Sequence, residues 1–136
     1  MSALRPVGEV INIDGTERHL LFTLNAVEQI QDKYDLSINE IINTVFGLDP
    51  ESRRKSFSIL KYIVTALINE DVEIHNDHNE DKWKPVTEKY IGRNISLQNI
   101  GIISMAVLKA YTNSLPEPDE NEIEEEIPNQ KSEQQK

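Results

Sequence analysis

Residues 51–69 carry apolar side chains on two sides of a helix at once. Phe57, Leu60, Val64 and Leu67 make one stripe, and Ile59, Ile63 and Ala66 make a second. A helix with a single apolar stripe lies on a core, whereas one that is apolar on two sides has to be surrounded. The pattern predicts a central core helix. Asp49-Pro50 opens it, with proline at the first helical position where its missing N–H leaves no bond unmade. The helix is expected to run to about Asn69, and the remaining elements must wrap it.

The flanking segments supply that wrapping. Val7–Ile13 and Arg18–Leu24 are rich in β-branched and large apolar residues and read as strands. By the period of two, Ile11 and Ile13 share one face, and Leu20, Phe22 and Leu24 share another. Asp14-Gly15 between them suits a tight hairpin turn, whose central residues need positive φ. Two strands alone are marginal in water, so the hairpin must lie on something. Asn25 with Glu28, and Ser37 with Glu40, have the spacing of capped helix starts. Val27, Ile30 and Tyr34 form the stripe of the first helix, and Ile38, Ile41, Ile42, Val45 and Phe46 that of the second, which Gly47 ends. Pro85 is expected to open a short helix closed by Gly92. Ser96 is expected to cap a last helix with the stripe Leu97, Ile100, Ile103, Val107, Leu108 and Tyr111, stopped by Pro116. The expected fold is α+β and mainly α: an N-terminal β-hairpin followed by three to five helices, forming a single domain over residues 1–116.

Charge is unevenly placed. The 136 residues have a formal net charge of −10. Leu115–Lys136 hold eight acids against two lysines, three prolines, and no large apolar residue besides Leu115, Ile123 and Ile127. Such a segment cannot by itself bury enough apolar surface to offset its ordering entropy, so 117–136 reads as a disordered acidic tail. Asn69–Lys82 holds six acids and one lysine and reads as an acidic loop. An acidic chain with no long basic face is a poor general binder of nucleic acid. No apolar run reaches the roughly 18 residues that span a membrane, and the start lacks an apolar signal region. Cysteine is absent, which excludes disulfides, thiolate metal sites and cysteine nucleophiles. These features together predict a soluble intracellular protein.

Candidate sites in the sequence are weak. His75 and His78 sit among Asp71, Glu73, Asp77, Glu80 and Asp81. A calcium loop starting at Asp71 fails, because its sixth position is Asn76 and its twelfth Lys82. Two histidines without a third fixed ligand are a poor zinc signal, so a solvated loop is the reading and no metal is expected. Arg53-Arg54-Lys55 reads as a solvated helix face, since three charges beside Asp49 and Glu51 neutralise few phosphates. Asn94-Ile95-Ser96 matches a glycosylation pattern that an intracellular chain does not use. Trp83 reads as a partly buried anchor, with a partner contact as the alternative. His19 lies on a predicted strand and reads as a half-exposed strand residue. There is no Gly-rich phosphate loop and no nucleophile motif, so neither catalysis nor a cofactor is expected.

The order of elements carries more information than any motif. An Ile-Asp-Gly-Thr turn leads to Leu21-Phe22-Thr23-Leu24-Asn25-Ala26-Val27-Glu28-Gln29-Ile30. Tyr34, Ser37 and Ile38 follow, then a long apolar helix ending Ala66-Leu67-Ile68-Asn69. Val86-Thr87-Glu88 with Ile91-Gly92 comes next, and a last helix ends Ser114-Leu115-Pro116. Over about residues 5–116 this resembles the tail assembly chaperones of long-tailed bacteriophages, especially those infecting Gram-positive bacteria. The acidic stretch 69–82 departs from the family by its length and charge.

The resemblance implies a binding role in virion assembly. Such chaperones hold the long tape measure protein soluble while the tail tube polymerises around it, and are absent from the finished virion. It further implies the host bacterial cytoplasm as location, and that this chain is the short form of a pair made by translational frameshift. The implied partners are the tape measure protein, the tail tube protein, the longer form and further copies of the chain. A client would need an apolar groove between helices 51–69 and 96–115. Leu60, Val64, Leu67, Ile103, Val107 and Tyr111 are the candidate contacts, taken from those apolar faces. On stripe width alone, the better reading is that both stripes are used up inside a monomeric core. A structural minor tail or head–tail joining protein is the alternative function. An acidic mimic of nucleic acid is weaker, because the acids cluster in one stretch and one tail.

Overall fold

The computed structural model describes residues 8–47 and 50–116. The expectation of a disordered tail over 117–136 lies outside these residues. The elements are β1 (Glu9–Ile13), β2 (Thr16–Leu20), α1 (Leu24–Tyr34), α2 (Ile38–Phe46), α3 (Pro50–His78), α4 (Glu88–Asn94) and α5 (Ile100–Ser114). The mainly helical α+β architecture with an N-terminal hairpin is therefore as the sequence predicts.

β1 and β2 pair antiparallel, with Ile11 opposite Arg18 and Ile13 opposite Thr16. Asp14 and Gly15 both take positive φ, 55° and 77°, as a two-residue hairpin turn of this hand requires. The Asp14 carboxylate accepts a hydrogen bond from the Tyr90 hydroxyl at 3.1 Å, which ties the turn to α4. Gly8 precedes β1 at φ 72°, and an added Cβ there would run into the Leu20 carbonyl. β2 ends at Leu20, earlier than the apolar run suggests. Leu21 is buried, Phe22 is half-buried, and Leu24, expected on the strand face, is the exposed first residue of α1.

Thr23, in extended conformation, caps α1 by accepting from the Ala26 N–H at 3.1 Å. Asn25 is thus inside the helix and not its cap. Strand and helix share this short junction, and the residue that is still extended at the helix start takes the capping role. α1 ends at Asp35 in the left-handed region, and its Gln31 side chain accepts from the Ile38 N–H at 2.8 Å. Ser37 and Glu40 form the complete capping box of α2, and Gly47 ends it.

α3 has 29 residues and is about 44 Å long at 1.5 Å per residue. Residues 63–68 are buried without interruption, so the helix is covered on every side at its middle. Thr65 is the buried polar side chain among the described residues, and its hydroxyl bonds back to the Lys61 carbonyl at 2.8 Å. β2, α1, α2 and α4 all pack on α3, while α5 packs mainly on β1. Tyr34 of α1 meets Tyr62 of α3 edge to face at 5.7 Å. Burial, then the charges of Glu88 and of the Tyr62 phenol, raise the Tyr34 phenol above its usual 10.0.

The acidic stretch is not a loop. α3 continues through it to His78, well past Asn69. Val72 extends the buried stripe one turn beyond Ile68. The chain then returns along the helix and is held there by two asparagines seven residues apart. Asn69 accepts from the Val86 N–H at 2.7 Å and donates to the Val86 carbonyl at 2.9 Å. Asn76 does the same for Trp83, at 2.8 and 3.0 Å. The Lys82 ammonium donates to the carbonyls of Asn76 and Asn79, satisfying the open end of the helix.

α4 starts after Thr87, whose side chain accepts from the Tyr90 N–H at 3.0 Å, rather than at Pro85. Gly92 lies inside it, and Asn94 ends it. Ser96 starts a turn instead of capping α5. Asn99 accepts from the Ser96 N–H at 2.7 Å and donates to the Asn94 carbonyl at 3.1 Å, which delays the helix to Ile100.

Asn69→Ala leaves the Val86 amide without either bond and is expected to destabilise the fold by about 2 kcal/mol, read as a lower denaturant midpoint at unchanged slope. The raised Tyr34 pKa means its neutral form is favoured by folding. Its contribution is complete below pH 10 and is lost as pH rises through the folded value. Tyr34→Phe should therefore flatten the alkaline fall of Tm, followed by thermal melts above pH 9.

Candidate functional site

The hairpin decides which apolar residues are left for a partner. Its inward face, Ile11, Ile13 and Leu20, packs with the stripes of both long helices into one core. The groove expected between 51–69 and 96–115 is filled by the chain itself. Leu60, Val64, Leu67, Ile103 and Val107 are at most 3% exposed, so they are core residues and not client contacts. Tyr111 is half-buried, its ring edge-on to Phe22 at 5.6 Å and its hydroxyl 3.5 Å from Asn39. The physical reason is plain: a two-stranded sheet must cover its apolar face, and these stripes are what covers it.

Other apolar residues are exposed. Phe57, expected in the core stripe, is 56% exposed, because it stands a turn before the surrounded part of α3. Leu97, expected in the α5 stripe, is 82% exposed in the turn that precedes the helix. Ile102 and Met105, three apart on the outer face of α5, are 74% and 59% exposed. They fall between the buried positions Ile103, Val107 and Ala110. Their departure from the stripe was visible in the sequence, whereas the exposure of Phe57 and Leu97 was not.

An open groove of about 390 Å³ gathers part of this surface. Phe57 and Leu60 of α3 and Ile95 and Ile100 of the α4–α5 junction give it apolar walls, and Arg54 and Lys61 stand on it. The Lys61 stem passes close over Gly92, directing this lysine across the α3–α4 contact. Arg54 lies 4.0 Å from Glu51, with both side chains more than three-quarters exposed. Such a pair is screened and leaves the cation available to other partners.

A second cleft, of about 470 Å³, lies between β2 and the returning chain, with Arg18, Trp83 and Lys84 among its lining. The Nε of Arg18 is buried and makes no hydrogen bond among the described residues. Trp83 is 42% exposed and is no core anchor. It stacks flat on His75, with ring centroids 3.6 Å apart. His75 in turn contacts the Asp81 carbonyl at 3.0 Å and its carboxylate at 3.5 Å. These contacts are local and tie the returning chain to the end of α3. Among the described residues no group of three or more His, Asp or Glu is placed to share a metal ion. Arg54 and Lys55 are exposed, and the side chain of Arg53 lies outside the described residues. His19 is half-buried on β2. No described helix is long and apolar enough to cross a membrane.

No family of known proteins, no curated protein and no solved structure matches the chain.

The division between core and surface predicts opposite outcomes for similar truncations. Leu67→Ala should destabilise by about 3 kcal/mol. Ile102→Ala should change stability by less than about 0.5 kcal/mol. Paired chemical denaturation of the two variants reads this directly.

Proposed function

We propose that the chain is a tail assembly chaperone of a long-tailed bacteriophage. It binds the tape measure protein in the host bacterial cytoplasm and keeps it soluble while the tail tube assembles. We further propose that it is the short form of a frameshifted pair, and that it acts without cofactor or catalysis. The observation that carries this reading is that Phe57, Leu97, Ile102 and Met105, on α3, α5 and the turn before α5, are among the large apolar side chains left exposed on a chain of net charge −10. A holdase needs both: apolar surface that covers a client's helices, and charge that keeps the complex dispersed. The resemblance in element order over residues 5–116 names the client. The contacts proposed from the sequence are replaced by these four residues and by the groove beside Phe57.

Co-expression with a tape measure protein tests the reading. The client is expected to be insoluble alone and to co-purify in the soluble fraction with this chain. Ile102→Asp with Met105→Asp should lower the recovered complex by about tenfold or more, as loss of central apolar contacts does, while the Tm of the chain alone stays within a few degrees. Unchanged client solubility with no co-purification would count against the proposal. Recovery of the chain from purified virions would instead establish the structural minor tail or head–tail joining reading.

A further inference from the structure

The groove beside Phe57 has a specific chemistry. Its walls are apolar, and the two charged residues on it, Arg54 and Lys61, are both cations. Lys55 and Arg93 are the exposed sequence neighbours of Arg54 on α3 and of Gly92 on α4. Among the described residues, the one anion paired with these cations is the exposed Glu51, 4.0 Å from Arg54. A fitting occupant carries a few large aliphatic side chains spaced within one short stretch, among carboxylates. Most of this acidic chain offers no such combination outside its core.

One stretch does. Residues 117–136 hold eight acids and two lysines, and their only large apolar residues are Ile123 and Ile127. These two are separated by Glu124, Glu125 and Glu126 and preceded by Glu120 and Glu122. The stretch is also within reach. From Ser114 back to Ile100, which lines the groove, α5 spans about 21 Å. The residues from Pro116 to Ile123 can extend about 24 Å, and Ile127 lies further along.

We propose that segment 117–136 docks back onto the groove between α3 and the α4–α5 junction, with Ile123 and Ile127 on the wall of Phe57, Ile95 and Ile100 and its glutamates facing Arg54 and Lys61. Two isoleucines cannot order an acidic segment in water. A preformed apolar groove with two cations, to which the segment is tethered at millimolar effective concentration, changes that balance. The docked segment covers Phe57 and competes with any other ligand for the groove. The proposal does not depend on the chaperone reading, since both partners belong to this chain.

The absence of cysteine allows a direct test in the full-length chain. Ser58 lines the groove and is exposed, and Asn121 lies two residues before Ile123. The double variant Ser58→Cys, Asn121→Cys is oxidised under dilute conditions, and the intramolecular disulfide is followed by intact mass. The reference is the same double variant carrying Ile123→Ser and Ile127→Ser, which has identical tether length. Docking predicts that the disulfide forms about tenfold faster with the isoleucines present. It also predicts that this advantage shrinks severalfold as ionic strength rises from about 0.05 to 0.5 M, where the Debye length falls well below 10 Å. Equal rates in the two proteins would overturn the proposal. So would a disulfide formed only between chains, which would assign the groove to a second copy.

Discussion

Complete enclosure of the middle of α3 is the constraint on which the structure depends. Six consecutive residues, Ile63 to Ile68, are buried, which on a helix means that no side faces water. A hairpin and three helices are needed to surround it, and β2, α1, α2 and α4 do so. α5 enters through the hairpin rather than through α3, because β1 is its main contact. The inward face of the sheet therefore meets the stripes of both long helices, β2 against α3 and β1 against α5, and its burial is what consumes those stripes.

The far half of α3 shows a different kind of stabilisation. Past Val72 the helix no longer has a core to face, and acids dominate. The returning chain replaces that core with polar contacts. Asn69 and Asn76 each hold one backbone amide by both its groups, two helical turns apart on the same face. Lys82 closes the helix end, and the His75–Trp83 stack covers the outside. The result carries chain from the end of α3 back to α4 with Val86 as the buried apolar residue of residues 79–87, and it leaves Trp83 partly in water.

For function, the consequence lies in what the core does not take. The outer face of α5 and the start of α3 keep Ile102, Met105 and Phe57 exposed. The α4–α5 turn pushes Leu97 outward and brings Ile95 and Ile100 to the groove. A partner for these surfaces need not open the fold, because none of them contributes to the enclosure of α3.

Much of the fold was legible in local chemistry. Asp14-Gly15 specified the hairpin turn, Ser37 with Glu40 the start of α2, and the double stripe of 57–67 the central helix, because each rests on φ preference, capping or periodicity within a few residues. The errors have two causes. Asn25 for Thr23 as a cap, Pro85 for Thr87 at the start of α4, and Ser96 for Asn99 before α5 were choices between neighbouring candidates, each settled by a bond only three residues long. The loop read for the second half of α3 turned on bonds to residues outside the local window. Asn69 and Asn76 carry no sign of which distant amide they will hold. The candidate site failed for the same reason. Periodicity shows that Leu60, Val64, Leu67, Ile103 and Val107 are apolar on one face, but not what covers that face. Composition and spacing alone determined the class of fold, its central helix and its acidic character. Only the tertiary structure decided that the hairpin fills the space between the stripes, because burial is settled by which surfaces meet and not by how apolar each one is.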